Sequence, residues 1–219
     1  MQTRVSSSTR EVIISDAGPT VIIGERINPT GKKRLQAELL AGRLDLVRSE
    51  ALQQVQDGAD ILDVNVGATG VDEAALLPQA VRAVMEVVDV PLCIDSGDPR
   101  ALEAALRVYK GRALVNSVTA EQSSMNDILA VVKEHDAAVI GLTMDEKGIP
   151  PDAARRIELA HIIADNAERA GIKRDDVIID CCNMPAAANP GAPAVLLEAI
   201  GTVREQLGVN MTLGASNVS

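Results

Sequence analysis

The sequence predicts an α/β chain folded as a TIM (βα)8-type barrel, truncated after strand seven. Three observations predict it. Short, continuous apolar runs alternate with longer stretches of helical periodicity, the pattern of a parallel sheet covered on both faces. Several runs end abruptly in a polar residue, as in Leu92-Cys93-Ile94-Asp95, Leu114-Val115-Asn116 and Val177-Ile178-Ile179-Asp180. Glycine stands just past four helical stretches, at Gly58, Gly111, Gly171 and Gly208, where a left-handed residue commonly closes a helix.

The elements follow in order. Residues 1–10 read as a flexible polar tail. The apolar pieces 11–14 and 20–23 flank the turn-rich Ser15-Asp16-Ala17-Gly18-Pro19, predicting a short hairpin or lid strand. The expected organisation is a tail and lead-in strand over 1–19 and a barrel domain over 20–219. Barrel strands are expected near 21–24, 60–64, 91–95, 113–116, 137–142, 177–180 and 210–214. Helical spacing fills 44–57, and Asp72 and Asp98-Pro99 are start signals for the next two helices. Further helices are expected over 124–134, 151–170 and 193–207. A complete barrel takes roughly 250 residues, so one βα unit is expected to be missing. The open edges this leaves call for a partner surface, and a homodimer is expected.

Composition narrows the function. With 47% apolar residues but no Phe, no Trp and only Tyr109, the core must be aliphatic, and aromatic stacking cannot be a general ligand-binding device. A formal charge of −10 argues against a nucleic-acid backbone. The basic cluster Lys32-Lys33-Arg34 sits in a Gly-Pro loop and reads as a solvated turn. Cys93, Cys181 and Cys182 lack the spacing of a disulfide framework or zinc site, and no metal site is expected. Without a signal-peptide core or a membrane-length apolar run, the chain reads as cytoplasmic.

In a parallel barrel the strand ends share one rim, so Asp95, Asn116 and Asp180 converge on one pocket. Each also suits a turn or helix cap; together they suit a ligand. Two carboxylates can each accept paired N–H bonds from an amidine-like edge, and Asn can donate and accept on the same ring. That matches the 2-amino-4-oxo ring of a pterin or guanine. Asp63 and Asn65 lie two apart on strand two and face the same side, as a supporting polar layer. Glu25-Arg26 reads as an ion pair orienting its loop, Met144-Asp145-Glu146-Lys147-Gly148 as a surface loop, and Cys181-Cys182 as buried thiols.

Six motifs in this order carry a family resemblance: Ile23-Gly24-Glu25-Arg26-Ile27-Asn28-Pro29-Thr30-Gly31, Leu62-Asp63-Val64-Asn65-Val66-Gly67, Cys93-Ile94-Asp95-Ser96, Val115-Asn116-Ser117-Val118, Ile178-Ile179-Asp180 and Leu213-Gly214-Ala215-Ser216-Asn217. Over about residues 20–219 the chain resembles the pterin-binding methyltransferases that act on methyltetrahydrofolate and a corrinoid protein, within the dihydropteroate synthase-like superfamily. The resemblance implies a (βα)8 barrel in which Asp95, Asn116 and Asp180 hold the pterin ring. It places Asn217 near N5 as the catalytic residue, with Asp63, Asn65, Glu25, Ser96 and Gly214 in support. It implies methyltetrahydrofolate as methyl donor and cobalamin carried by a partner corrinoid protein. This sequence departs from the family where Cys181-Cys182-Asn183 follow Asp180. Two other readings compete. A dihydropteroate synthase-like enzyme would carry a Ser-x-Arg-Pro-Gly-like loop after strand two, where this chain has Gly67-Ala68-Thr69-Gly70, and a Lys on strand seven. A non-catalytic pterin-binding subunit would bind the ring without methyl transfer.

Overall fold

The structure, a computed structural model, describes residues 1–184 and 191–215. An antiparallel hairpin comes first, β1 (Gln2–Ser6) and β2 (Glu11–Ser15), with Val5 opposite Val12. Seven parallel strands follow, adjacent in space in the order of the sequence: β3 (Ile23–Ile27), β4 (Ile61–Asn65), β5 (Leu92–Asp95), β6 (Leu114–Thr119), β7 (Ala138–Leu142), β8 (Val177–Asp180) and β9 (Asn210–Thr212). Between them run α1 (Lys33–Leu40), α2 (Asp45–Gln56), α3 (Glu73–Met85), α4 (Pro99–Val108), α5 (Gln122–Glu134), α6 (Ala153–Arg169) and α7 (Ala192–Leu207). The sheet is curled, a partial TIM-type barrel, as the strand–helix alternation predicts. Each of the seven predicted strands overlaps an observed one. No helix among the described residues is long and apolar enough to cross a membrane.

Two-residue alternation sorts the side chains. Leu62, Val64, Leu92, Ile94, Val115, Val139, Val177 and Ile179 face outward and join the helices in the larger apolar cluster. Ile61, Cys93, Leu114, Ala138, Ile140 and Ile178 face inward and form a second cluster with Val5 and Val12 of the hairpin. The hairpin therefore plugs the amino-terminal end of the barrel, which corrects the expected flexible tail. Thr3 and Val5 are fully buried. The Thr3 hydroxyl donates to the Asp175 carbonyl, and the Asn210 amide donates to both Thr3 Oγ1 and the Ile14 carbonyl, each at 2.9 Å. The Tyr109 hydroxyl donates to the Ser6 carbonyl at 2.8 Å and accepts from the Leu92 N–H at 3.0 Å. The one aromatic ring thus spans hairpin and barrel. A strand buried on only one face, with Gln2, Arg4 and Ser6 on the other, looks like polar coil to a composition-based reading.

Two smaller expectations also change. Lys33 and Arg34 lie in the first turn of α1 rather than in a turn. Gly58, Gly171 and Gly208 do adopt positive φ (101°, 83° and 66°) after their helices, but Gly111 does not. Its lack of a side chain serves close approach instead, since a Cβ there would lie 2.1 Å from the Ser6 carbonyl oxygen. Gly111→Ala is therefore expected to push the hairpin off the barrel floor and cost about 1–3 kcal/mol, the range for overpacking. The check is a lowered urea midpoint at unchanged slope.

Candidate functional site

Four inward columns change character toward the carboxyl end of their strands, while that of β7 stays apolar to Leu142. On β4 it reads Ile61, Asp63, Asn65; on β5, Cys93 then Asp95; on β6, Leu114 then Asn116; on β8, Ile178 then Asp180. Strand register then levels the polar ends. Asn65 pairs with Asp95, Asp95 with Asn116, and Asp180 lies between Leu142 and Thr212. Above the apolar layer they border a cavity of about 680 Å³, within the range of small-molecule sites. Glu25, Asp63, Asp95, Asn116 and Asp180 face it on one side, and Thr212 to Ala215 on another, with no Lys, Arg or His among its described lining residues.

Glu25 reaches the cavity by alternation from Ile23, which also lines it, and β3 leaves register between Gly24 and Ile27, which turns Ile27 out to the helix layer. The Arg26 N–H freed there donates to Gln54 Oε1 at 2.7 Å, and Gly24 gives Gln54 room, since a Cβ would lie 2.6 Å from that oxygen. Arg26 pairs with Glu50 at 2.9 Å, not with Glu25, so the expected internal Glu25–Arg26 pair is absent and Glu25 is left facing the cavity.

A supporting row of bonds fixes one atom each of Asp63, Asp95, Asn116 and Asp180. Asn65 Nδ2 donates to Asp95 Oδ2 at 2.8 Å, and Asn65 is itself held by the Gly67 N–H at 2.8 Å. Asn116 Nδ2 donates to Asp63 Oδ2 at 3.1 Å, leaving Asn116 Oδ1 as an acceptor. The Cys182 N–H donates to Asp180 Oδ1 at 2.7 Å. The wall is thus rich in acceptors, and its natural complement is a flat ligand edge rich in N–H groups.

Burial sets the protonation of this wall. Asp63 is raised well above the usual carboxylate range by burial and then by the neighbouring charge of Asp95. Its Oδ1 has no partner among the described residues. Burial at the cavity floor, beside the Asp95 carboxylate, therefore favours the protonated form of Asp63. Asp95 is pushed up to about 6, chiefly by burial, with the Asn65 donor opposing the shift. Asp180 is raised by burial too, opposed by the Cys182 N–H and by the charge of Arg156. The Cys181 and Cys182 thiols are pushed up by burial to about 12 and about 11, so both are protonated and inert at neutral pH.

Of the residues singled out in the sequence, Asp95, Asn116, Asp180, Asp63, Glu25 and Gly214 meet around the cavity. Asn65 stands one layer behind. Ser96 turns away, donating to Glu73 Oε2 at 2.6 Å and accepting from the Asp98 N–H at the start of α4. Asn217 lies outside the described residues. Cys93 was missed as a lining residue, although its place two before Asp95 carried the signal. The stretch 20–23 also lines the cavity, and nothing in its composition marked it. The loop 144–148 is more than surface: Asp145 is buried and accepts from Arg155 Nη2 at 2.8 Å.

Comparison with known proteins shows the family and the fold. Residues 24–219 match the family described as pterin binding enzyme. The chain is 30% identical over 205 residues to a methylcorrinoid:tetrahydrofolate methyltransferase of Eubacterium limosum, covering 91% of this chain and 74% of that protein. It is 30% identical over 226 residues to the methionine synthase of Mycobacterium tuberculosis, covering 98% of this chain but only 19% of that much longer protein. Among solved structures, a Xanthomonas albilineans dihydropteroate synthase, in complex with indole-2-carboxylic acid and 6-chloroguanine, superposes with a TM-score of 0.72 at 18% identity over 99% of this chain and 78% of that one. A Yersinia pestis dihydropteroate synthase with a pterine-sulfa conjugate gives 0.72 at 15% identity, over 98% and 78%. These two share the fold.

A carboxyl whose folded pKa is raised stabilises the fold at low pH and loses that contribution as pH rises through the folded value. For Asp95 the window runs from 3.8 to about 6. Asp95→Asn is therefore expected to stabilise the protein above about pH 6 by about 2–3 kcal/mol, with no gain below about pH 4. Urea denaturation at both ends of the window checks this.

Proposed function

The chain belongs to the pterin-binding enzyme family, and from that premise we propose that it is a methyltransferase moving the N5 methyl group of methyltetrahydrofolate to the cob(I)amide of a separate corrinoid protein. The observation that carries the reading is the acceptor-rich, cation-free wall formed by Asp95, Asn116 and Asp180. A reduced pterin presents a complementary edge, with N–H groups around its 2-amino pyrimidine ring. The relative named for methylcorrinoid and tetrahydrofolate chemistry supports this substrate class.

The residues of this chain bind and orient. Asp95 and Asp180 accept N–H bonds from the ring, and the Asn116 carbonyl oxygen, its amide fixed by Asp63, accepts another. Held from below by Asn65, Asp63 and the Cys182 N–H, these groups need little rearrangement when ligand enters, which lowers the entropic cost of binding. When bound, the partner's corrinoid supplies the nucleophile that receives the methyl group. The reaction therefore asks no nucleophile of this chain, in keeping with thiols that burial keeps protonated. Asn217 has the chemistry for the remaining task, a hydrogen bond at N5 that strengthens as charge changes there. The same contacts serve transfer in either direction.

Two measurements test the reading. In calorimetry, wild-type protein is expected to bind methyltetrahydrofolate saturably, with affinity falling as pH drops through about 6, where Asp95 takes up a proton. Asp180→Ala should weaken binding by about tenfold or more, the loss of one charged hydrogen bond. Absence of binding by folded wild-type protein would overturn the proposal. In single-turnover transfer to cob(I)alamin, Asn217→Ala should slow the step by about 10²–10³-fold, as for loss of a hydrogen bond made in the transition state. Its folate affinity should barely change. An unchanged rate would remove Asn217 from the catalytic role.

A further inference from the structure

Arg156 is the one fully buried cation among the described residues, at 1% exposure. It lies in the first turn of α6, where the helix dipole disfavours positive charge. No carboxylate of the described residues pairs with it; its neighbour Arg155 takes Asp145 and Glu158. Its guanidinium spends its bonds on backbone: Nε donates to the Pro150 carbonyl at 2.8 Å, and Nη1 to the Cys181 and Cys182 carbonyls at 3.0 Å each. Burying an unpaired guanidinium costs several kcal/mol unless its donors are met, and an apolar side chain would fill the space without that cost.

The bonded carbonyls show what the charge is doing. They belong to the loops after β7 and β8, so Arg156 ties two neighbouring pieces of the cavity rim together. Cys182 has φ 57°, the left-handed region, which an L side chain adopts only when its surroundings enforce it. In that conformation its N–H points back at Asp180 Oδ1, 2.7 Å away. The Thr143 N–H, from the loop after β7, completes the join by donating to the Asp180 carbonyl at 3.0 Å. The groups acting on the Asp180 carboxylate are therefore few. Glu25 from β3 repels it, the Cys182 N–H holds it, and Arg156 from α6 attracts it. Thr143 on the β7 side and Thr212 on the β9 side carry no charge.

We propose that Arg156 is a positioning residue for Asp180: it fixes the Cys181-Cys182 backbone so that an N–H meets the Asp180 carboxylate, and its buried charge favours the anionic form that accepts the ligand's N–H edge. This also accounts for the departure at Cys181-Cys182-Asn183. Arg156 reads the backbone there, so side chains unusual for the family are compatible with the same anchor. The importance of Asp180 to ligand binding rests on the proposed function, but the coupling of Arg156 to Asp180 is a property of the unliganded protein and is tested there.

The experiment is titration of the Asp180 carboxyl carbon by ¹³C NMR in unliganded wild type, Arg156→Gln and Arg156→Lys. Glutamine can keep a carbonyl bond but removes the charge, so the Asp180 midpoint should rise by about 1 unit, the lower end for loss of a nearby opposite charge. Lysine keeps the charge with fewer bonds, so its midpoint should rise less than that of glutamine. A role confined to filling space would move neither. An unmoved midpoint in the glutamine variant, or a rise in the lysine variant as large as that in glutamine, overturns the assignment. If the glutamine variant does not fold, Arg156→Met, which fills the space without charge, is titrated in its place, and an unmoved midpoint there overturns the assignment. In a parallel calorimetric titration with methyltetrahydrofolate, run at a pH below the wild-type Asp180 midpoint that the NMR titration gives, Arg156→Gln should bind up to about tenfold more weakly, the equivalent of that shift. Failure of wild type to bind would count against the proposed function and leave the NMR result standing.

Discussion

Parallel strand register is the constraint on which the site depends. Ladder bonds place Asn65, Asp95 and Asn116 at one level across β4, β5 and β6, and Asp180 beside Leu142 and Thr212 across β7, β8 and β9. Side chains alternate with a period of two, so the same ladder that levels these residues turns them all inward. A slip of one residue in any strand would send its acid into the helix layer and an aliphatic side chain into the cavity. The binding surface is thus set by backbone hydrogen bonds far more than by side-chain packing, and it tolerates an unusually aliphatic core.

The wall formed in this way is costly to keep. Glu25, Asp63, Asp95 and Asp180 surround one cavity, and burial raises the last three. The structure limits the cost in three ways. Burial favours the protonated form of Asp63, amide and backbone N–H groups meet Asp95 and Asp180, and a single buried guanidinium stands behind the β8 end. What remains is a surface whose unsatisfied acceptors are better served by ligand than by empty space, the usual relation between a binding site and its fold.

Much of this was legible in the sequence. The strands declared themselves by continuous apolar runs, and the polar residues lining the cavity by ending those runs; both signals are local. What escaped was non-local. Arg156 sits among helical residues and looks like any solvated side chain until the loops after β7 and β8 close over it. The β1 strand looked like coil because its buried face holds only Thr3 and Val5. Glu25 and Arg26 invited pairing as neighbours, yet strand alternation sends one to the cavity and the other outward to Glu50. Gly111 fitted the helix-closing pattern, whereas its actual duty, admitting the Ser6 carbonyl, depends on a segment more than a hundred residues away. Sequence separation, not chemistry, marks the boundary of what could be read.

The plug has a consequence for how the molecule assembles. Its anchoring bonds join Thr3 to Asp175 and Asn210 to both Thr3 and Ile14, so the earliest strands of the chain find their partners among the last. During vectorial synthesis these bonds must wait until β8 and β9 emerge, after those to Tyr109 and Arg112 have become available. Contacts of such long range are slow to form.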